Sequence, residues 1–256
     1  MKAIVVSDLH IGSRYFLRHN FAQFLNNIPE DVDFILNGDI INNPYEKMDS
    51  ADRQILDCIG EMSLRQKVIW VRGNHDNGYI PDNLGKIQIK QHHALQKRFF
   101  VTHGDFFDEV MPRSQIFIKV FKMMHDLRVK LGARPVHVAQ YAKKWKSFYG
   151  YLRKNVMLNA VNYAAANGFE AVTCGHTHFA EEHFVNGIKY LNTGAWTEQP
   201  TYYVRVNANE IALKKTADSA CLKSHGADSV PASSALHQNP AQPLSHQNSI
   251  ISNTLR

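Results

Sequence analysis

Residues 2–14 read KAIVVSDLHIGSR. Four apolar residues, Ala3 to Val6, give way at once to Ser7, Asp8 and His10. A short apolar, β-branched run that ends in polar residues predicts a buried strand carrying its chemistry at the carboxyl end. The arrangement recurs four times, as VDFILNGDI (32–40), KVIWVRGNHD (67–76), RFFVTHGD (98–105) and EAVTCGHTH (170–178). Helical spacing of Phe21, Phe24, Leu25 and Ile28 predicts a helix over 18–28, and a second is expected over 52–64. Short strands are expected at 85–90 and in IKYLNTGAW (188–196) and TYYVRVN (201–207), the last two as a closing hairpin. Parallel strands with crossover helices, followed by antiparallel ones, imply an α/β sandwich of sheets and helices.

The polar strand ends suggest where ligands bind. In such sheets the carboxyl ends lie along one edge, the usual binding crevice. That edge would gather Asp8, His10, Asp39, Asn74, His103, His176 and His178. In DLH and HTH the polar residues are two apart, so in an extended segment they would point the same way. Carboxylate, imidazole and amide donors without a thiolate suit Mn²⁺, Fe²⁺ or Mg²⁺, and several histidines weigh against Mg²⁺ alone. Seven donors exceed what one ion needs if it is to keep open positions. They suit two ions about 3.5–4 Å apart with a bridging carboxylate. A single Asp-x-His is weak evidence, since an isolated histidine is usually structural; five such motifs, each closing a strand, are not.

The 256-residue chain, 44% hydrophobic, suffices for one sizeable core. No window approaches the roughly 18 apolar residues of a membrane span, and the apolar run at the N-terminus is too short for a signal peptide. Cys58, Cys174 and Cys221 are odd in number and lack CxxC spacing, which argues against a disulfide framework and for a reducing compartment. From residue 217 the chain turns rich in Ser, Ala, Pro, Gln and Asn and is expected to be a disordered tail.

The net charge of +6 has a local origin. Between Arg113 and Asn155 there are eleven Lys and Arg residues and one acid, Asp126. Apolar residues Ile116, Phe117, Val120, Phe121, Met124 and Leu127 recur there at helical spacing, and Val138, Tyr141, Trp145, Phe148 and Tyr149 follow. Gly132 and Pro135 mark a break. The segment 113–166 therefore reads as a basic helical arm inserted between two of the polar motifs. It could be a core cover with a solvated face, a surface for an anionic membrane, or a clamp for a nucleic-acid backbone.

D-x-H, G-D, G-N-H-D, H-G and G-H-T-H, in this order, resemble the calcineurin-like metallophosphoesterase superfamily over about residues 1–206. The resemblance implies a four-layer α/β/β/α sandwich with a dinuclear metal centre. One ion would take Asp8, His10 and His178, the other Asn74, His103 and His176, and Asp39 would bridge them. His75 matches the family's non-ligand histidine, which contacts the phosphate and assists the leaving group. Many relatives read G-D-x-x-D where this chain has GDIIN, so Asn42 replaces an Asp that orients that histidine; Asp76 or another group would have to serve.

SDLHIGSR, the arm after HGD, and NAVNYAAANGFEAVTCGHTH resemble the UDP-2,3-diacylglucosamine diphosphatase-like branch. That resemblance implies hydrolysis of a nucleotide-linked diacyl glucosamine to UMP and a lipid phosphate in lipid A synthesis. It implies Mn²⁺ as the usual metal and a cytoplasmic location at the inner face of the membrane. Members of that group often have Arg at the position of His75. Arg14 is a candidate phosphate contact. Alternatives are a phosphodiesterase or phosphatase acting on nucleotides or nucleic acid, and a catalytically silent scaffold binding membrane or protein. His92 and His93, before a strand, are expected at the surface, and neither they nor His125, His137 and His183 are expected to have a role in the site.

Overall fold

The computed structural model describes residues 2–76, 78–113 and 115–216. The tail expected from 217 onward lies outside the described residues, as does Cys221. Strands β1 (Ala3–Val6), β2 (Asp33–Asn37), β3 (Val68–Val71) and β4 (Gln88–Lys90) run parallel and share a sheet with β10 (Tyr202–Val206) and β11 (Ile211–Lys215). The strand order is β11-β10-β1-β2-β3-β4. A second sheet, ordered β5-β6-β7-β9-β8, contains β5 (His93–Leu95), β6 (Phe99–Val101), β7 (Ala171–Cys174), β8 (Glu181–Val185) and β9 (Ile188–Asn192).

Alternate residues along each strand serve different layers. Ala3, Val5, Ile35, Ile69 and Val71 meet Leu95, Phe99, Val101, Ala171 and Leu191 between the sheets. Ile4, Val6, Phe34, Leu36, Val68 and Trp70 point outward. They pack under helices α1 (Arg18–Leu25) and α2 (Ser50–Arg65) through Phe21, Leu25, Ile55, Leu56 and Ile59. Both faces are covered, which is why these strands read as unbroken apolar runs. On the other side, Val156, Ala160, Val161 and Ala164 of α6 (Lys146–Ala166) cover Phe100, Val172, Cys174 and Tyr190. The result is the four-layer α/β/β/α sandwich expected from the sequence.

Two expectations are corrected. IKYLN and TYYVRV do not pair with each other. β9 runs parallel to β7 and makes its hairpin with β8, whereas β10 crosses to the first sheet, antiparallel to β1, and turns into β11. Both candidate strands are apolar on alternate positions, and nothing in that pattern tells which sheet a strand joins. His93 is also not a surface residue. It lies buried in β5, paired to Val101.

The basic segment between the 3₁₀ turn Asp105–Phe107 and β7 forms α3 (Val110–Arg113), α4 (Gln115–Lys130), the short α5 (Val138–Ala142) and α6. The break at Gly132 is present, with φ +91° and open space around it. A second break at Lys143–Trp145 separates α5 from α6. Helix α6 belongs to arm and core at once. Its first turns pack with Val110 through Tyr149 and Leu152, and its later turns cover the second sheet. No helix among the described residues is long and apolar enough to cross a membrane.

Candidate metal centre

All seven polar residues singled out at the strand ends lie at the carboxyl edge where the two sheets meet. Asp8, His10, Asp39 and His178 offer ligand atoms within 4.8 Å of one another, all buried. His10 Nε2 and His178 Nε2 are 3.1 Å apart, and His178 Nε2 is 3.1 Å from Asp8 Oδ1. A second group adjoins the first through Asp39. Its Oδ2 lies 3.2 Å from His103 Nε2 and 4.0 Å from His10 Nε2. On that side His176 Nδ1 is 3.2 Å from Asn74 Oδ1. Asp39 Oδ1 is turned away and accepts the His75 backbone N–H at 2.8 Å. One oxygen of Asp39 therefore serves both groups.

The residues fit divalent ions by their tautomers as well as by their positions. His103 Nδ1 lies 3.1 Å from the Asn37 carbonyl, so Nδ1 carries a hydrogen there and Nε2 is the atom turned to Asp39, the one an ion would take in place of its proton. That buried Nε2 has no hydrogen-bond partner. His176 Nε2 donates to Asp108 Oδ2 at 2.8 Å, which turns the Nδ1 lone pair to the Asn74 side-chain oxygen. Carbonyl and carboxylate partners of this kind fix the ring orientation of metal-binding histidines. Asp108 was not singled out in the sequence. Its signal is the HGDFFDEV stretch, where its Oδ1 also accepts Val110 and Met111 N–H at the start of α3.

Charge balance points the same way. Burial alone would lower His103, but the adjoining Asp39 carboxylate outweighs it and holds the imidazole up to about 10. Burial would raise Asp39 and Asp8, yet His103 beside the first and His178 beside the second keep both below the ordinary carboxylate range. His10 is pushed well down by burial and by His178. Two carboxylates thus face a set of imidazoles whose charge an ion can replace.

The backbone corrects one argument. Asp8, His10, Asp39, His176 and His178 all have positive φ, between 51° and 60°. DLH and HTH are therefore not extended, and the alternation of an extended segment does not bring their polar residues together. Left-handed turns do so, and non-glycine residues held there are strained, a cost that clusters at functional sites. Two glycines give the needed room. A Cβ on Gly38 (φ +81°) would lie 2.4 Å from the His103 ring, and one on Gly175 would lie 2.2 Å from Asp8 Oδ2.

His75 sits at the open side, its ring 4.9 Å from that of His10. Asn42 supports it through the main chain, with the Asn42 carbonyl accepting from His75 Nδ1 at 2.8 Å. Asp76 does not substitute for the missing Asp. Its buried carboxylate accepts N–H groups from Ile40, Ile41 and Gly73 and the Trp70 indole, which ties together the loops after β2 and β3. Arg14 lies beside the centre rather than in it. It stacks on Tyr15 at 4.8 Å in a neighbouring groove that also borders Asn42 and His137. His137, expected to be a bystander on the arm, instead stacks on His178 with ring centroids 5.3 Å apart and 23° between planes. Burial, then His178, pushes His137 down to about 3.

The chain matches the calcineurin-like phosphoesterase family over residues 1–180 and belongs to that family. With the geometry above, this places the protein among the metallophosphoesterases, with candidate ligands for a dinuclear metal centre. Among solved structures it is similar to Yfce, a phosphoesterase from E. coli, with 16% identity over 84% of this chain and 98% of that one and a TM-score of 0.44. A novel archaeal phosphodiesterase matches at 14% identity, with 84% and 100% of the chains covered and a TM-score of 0.42. Vps29 complexed with zinc from Entamoeba histolytica matches at 14% identity, with 84% and 98% covered and a TM-score of 0.41. No curated protein matches in sequence.

Proposed function

We propose that the protein is a two-metal phosphoesterase of the UDP-2,3-diacylglucosamine diphosphatase-like kind, cleaving a pyrophosphate between a nucleotide and an apolar-tailed sugar. The observation that carries this reading is a cavity of about 220 Å³ with two unlike walls. One wall is the centre itself, with His10, Asp39, Asn74, His75, His176 and His178. The other is the arm, with Met111, Phe121, Val138, Ala142, Trp145, Phe148 and Leu152. A base could stack on Phe121 or Trp145, but Met111, Val138, Ala142 and Leu152 extend that wall as an aliphatic surface that suits an acyl chain. Asn74 also borders a second cavity, of about 600 Å³, lined by Arg72, Gln91, His92, Asp105 and Phe106, which offers polar and aromatic contacts to the nucleotide half.

Asp8, His10 and His178 would hold one ion, Asn74, His103 and His176 the other, and Asp39 both. Two such ions, Mn²⁺ in this reading with Fe²⁺ or Mg²⁺ as substitutes, would supply an activated water and polarise the phosphoryl oxygens. The chain's own groups do the rest. His75 Nε2, with Nδ1 already committed to the Asn42 carbonyl, is the atom placed to move a proton at the leaving oxygen. The Asn74 amide and the arm hold the two halves of the substrate in register.

The outer face of α4 supports a location on an anionic membrane. Val120, Met123, Met124 and Leu127 are exposed at helical spacing, followed by Leu131, beside Lys119, Lys122 and Lys130. Turnover of UDP-2,3-diacylglucosamine by the Mn²⁺-loaded protein, with release of UMP far faster than cleavage of bis-p-nitrophenyl phosphate, tests the reading. Cleavage of only the generic ester or of single-stranded DNA would leave the hydrolase and remove the lipid substrate. Flotation with anionic vesicles should be lost when Met123 and Leu127 are both changed to Ser; unchanged flotation would refute the membrane contact.

A further inference from the structure

His137 is held over the centre in a way that arm packing alone does not require. It caps α5, with Nδ1 accepting the Ala139 N–H at 3.3 Å. An imidazole nitrogen that accepts carries no hydrogen, so the neutral ring has its hydrogen on Nε2. That Nε2 has no hydrogen-bond partner among the described residues. The ring lies against His178, 5.3 Å from His10, and edge-on to Tyr15 at 5.8 Å. It lines the cavity that contains Asp39, Asn74 and His75.

The position is fixed from both ends of α5. Before it, His125 Nε2 on α4 donates to the Val136 carbonyl at 3.1 Å, and the His125 ring packs on Tyr141 of α5. After it, Lys143 Nζ donates to the His178 carbonyl at 2.6 Å and pairs with Glu198. The strap is thus fastened to the HTH segment by Lys143 and brings a free N–H donor to the face of His178. His10 then has His75 at 4.9 Å and His137 at 5.3 Å beside it, as well as His178.

We propose that His137 is a second phosphate-binding group of the centre, presented by the arm, whose Nε2–H donates a hydrogen bond to an oxygen of the phosphoryl group bound beside His10 and His178. The inference rests on the phosphoesterase reading and adds the residue that couples a docked arm to the bound phosphate. A phosphate on the arm side gains a donor only when α5 is seated, so binding of the substrate's apolar part and orientation of its phosphate are linked.

The test uses full-length protein loaded with diamagnetic Mg²⁺ or Zn²⁺, with ¹⁵N-labelled histidine and inorganic phosphate as the probe. Long-range ¹H–¹⁵N spectra should show His137 as the Nε2–H tautomer, and phosphate should shift its Nε2 resonance. His137→Phe keeps a ring on His178, should retain two ions per chain, and should bind phosphate about tenfold more weakly, as loss of one hydrogen bond to a charged group implies. Unchanged phosphate affinity in that variant, or a His137 Nε2 resonance that ignores phosphate in the wild type, would overturn the inference and leave the phosphoesterase reading intact. Loss of an ion from His137→Phe would make the residue a ligand and overturn it as well. A wild-type protein that binds two ions but no phosphate would remove both readings together. The wild-type spectra decide the matter even if the variant fails to fold.

Discussion

Changing Asp108 to Asn probes how the centre is tuned without touching any proposed ligand. Asp108 Oδ2 accepts the His176 Nε2–H at 2.8 Å, and Oδ1 accepts two N–H groups of α3. An Asn can satisfy only one side properly. If its carbonyl stays on α3, the amide N–H faces His176 Nε2, which must then accept. The ring hydrogen moves to Nδ1, the atom that faces Asn74, and the lone pair for the second ion is lost. If the amide turns over, the cap of α3 is lost instead, at about 0.5–2 kcal/mol of stability. Changes to such supporting groups lower metal affinity by about 10–100-fold, or about 1.4–2.7 kcal/mol. Asp108→Asn should therefore bind its first ion normally and its second 10–100-fold more weakly, read by titration against a competing chelator, with hydrolysis recovering at high metal. Two ions bound at wild-type affinity, with α3 and the melting temperature unchanged, would refute the reasoning.

Other outcomes follow from particular contacts. His75→Ala should keep both ions and lose about 10²–10⁴-fold in kcat, the range for a positioned acid–base group; metal analysis beside steady-state kinetics checks this, and loss of an ion would make His75 a ligand. Phe121→Ala combined with Trp145→Ala should raise KM for a long-chain lipid substrate while leaving bis-p-nitrophenyl phosphate turnover within about twofold, because both side chains line only the arm wall of the cavity. Burial, aided by Lys90 and Lys67, lowers His93 to about 4 in the folded protein. The unfolded chain takes up that proton near pH 6.5, so this contribution is complete above pH 6.5 and is lost as the pH falls towards 4. Urea midpoints measured between pH 7.5 and 4.5 should fall less steeply in His93→Gln than in the wild type; parallel curves would contradict this.

Much of the fold was legible because its strands are buried on both faces. AIVV, DFILN and VIWV announce themselves as apolar runs, and each ends in the residues that define the centre. The sheet membership of β9 and β10 was not legible, since it depends on which neighbour offers an open edge. The same limit hid the conformation of DLH and HTH. The polar residues of DLH and HTH do come together, but through left-handed turns that no side-chain pattern predicts at Asp or His. Asp108 and His137 were missed for another reason. Asp108 stands close to His103 in sequence but supports His176, 68 residues further on, and His137 sits at a helix end of the arm; such a polar residue looks like solvent-facing surface until the chain folds back. Asn42 is the converse case: its side chain drew attention, and its carbonyl makes the contact.

The central claim is a two-ion hydrolytic centre joined through Asp39, and the most direct test is to count ions and turnover together in Asp39→Ala. Wild-type protein should bind two Mn²⁺ per chain and cleave bis-p-nitrophenyl phosphate. The variant should lose stoichiometric loading and turnover together, because Asp39 Oδ2 is the one atom facing both His10 and His103. An Asp39→Ala protein that still holds two ions and hydrolyses the ester at near the wild-type rate would contradict the account.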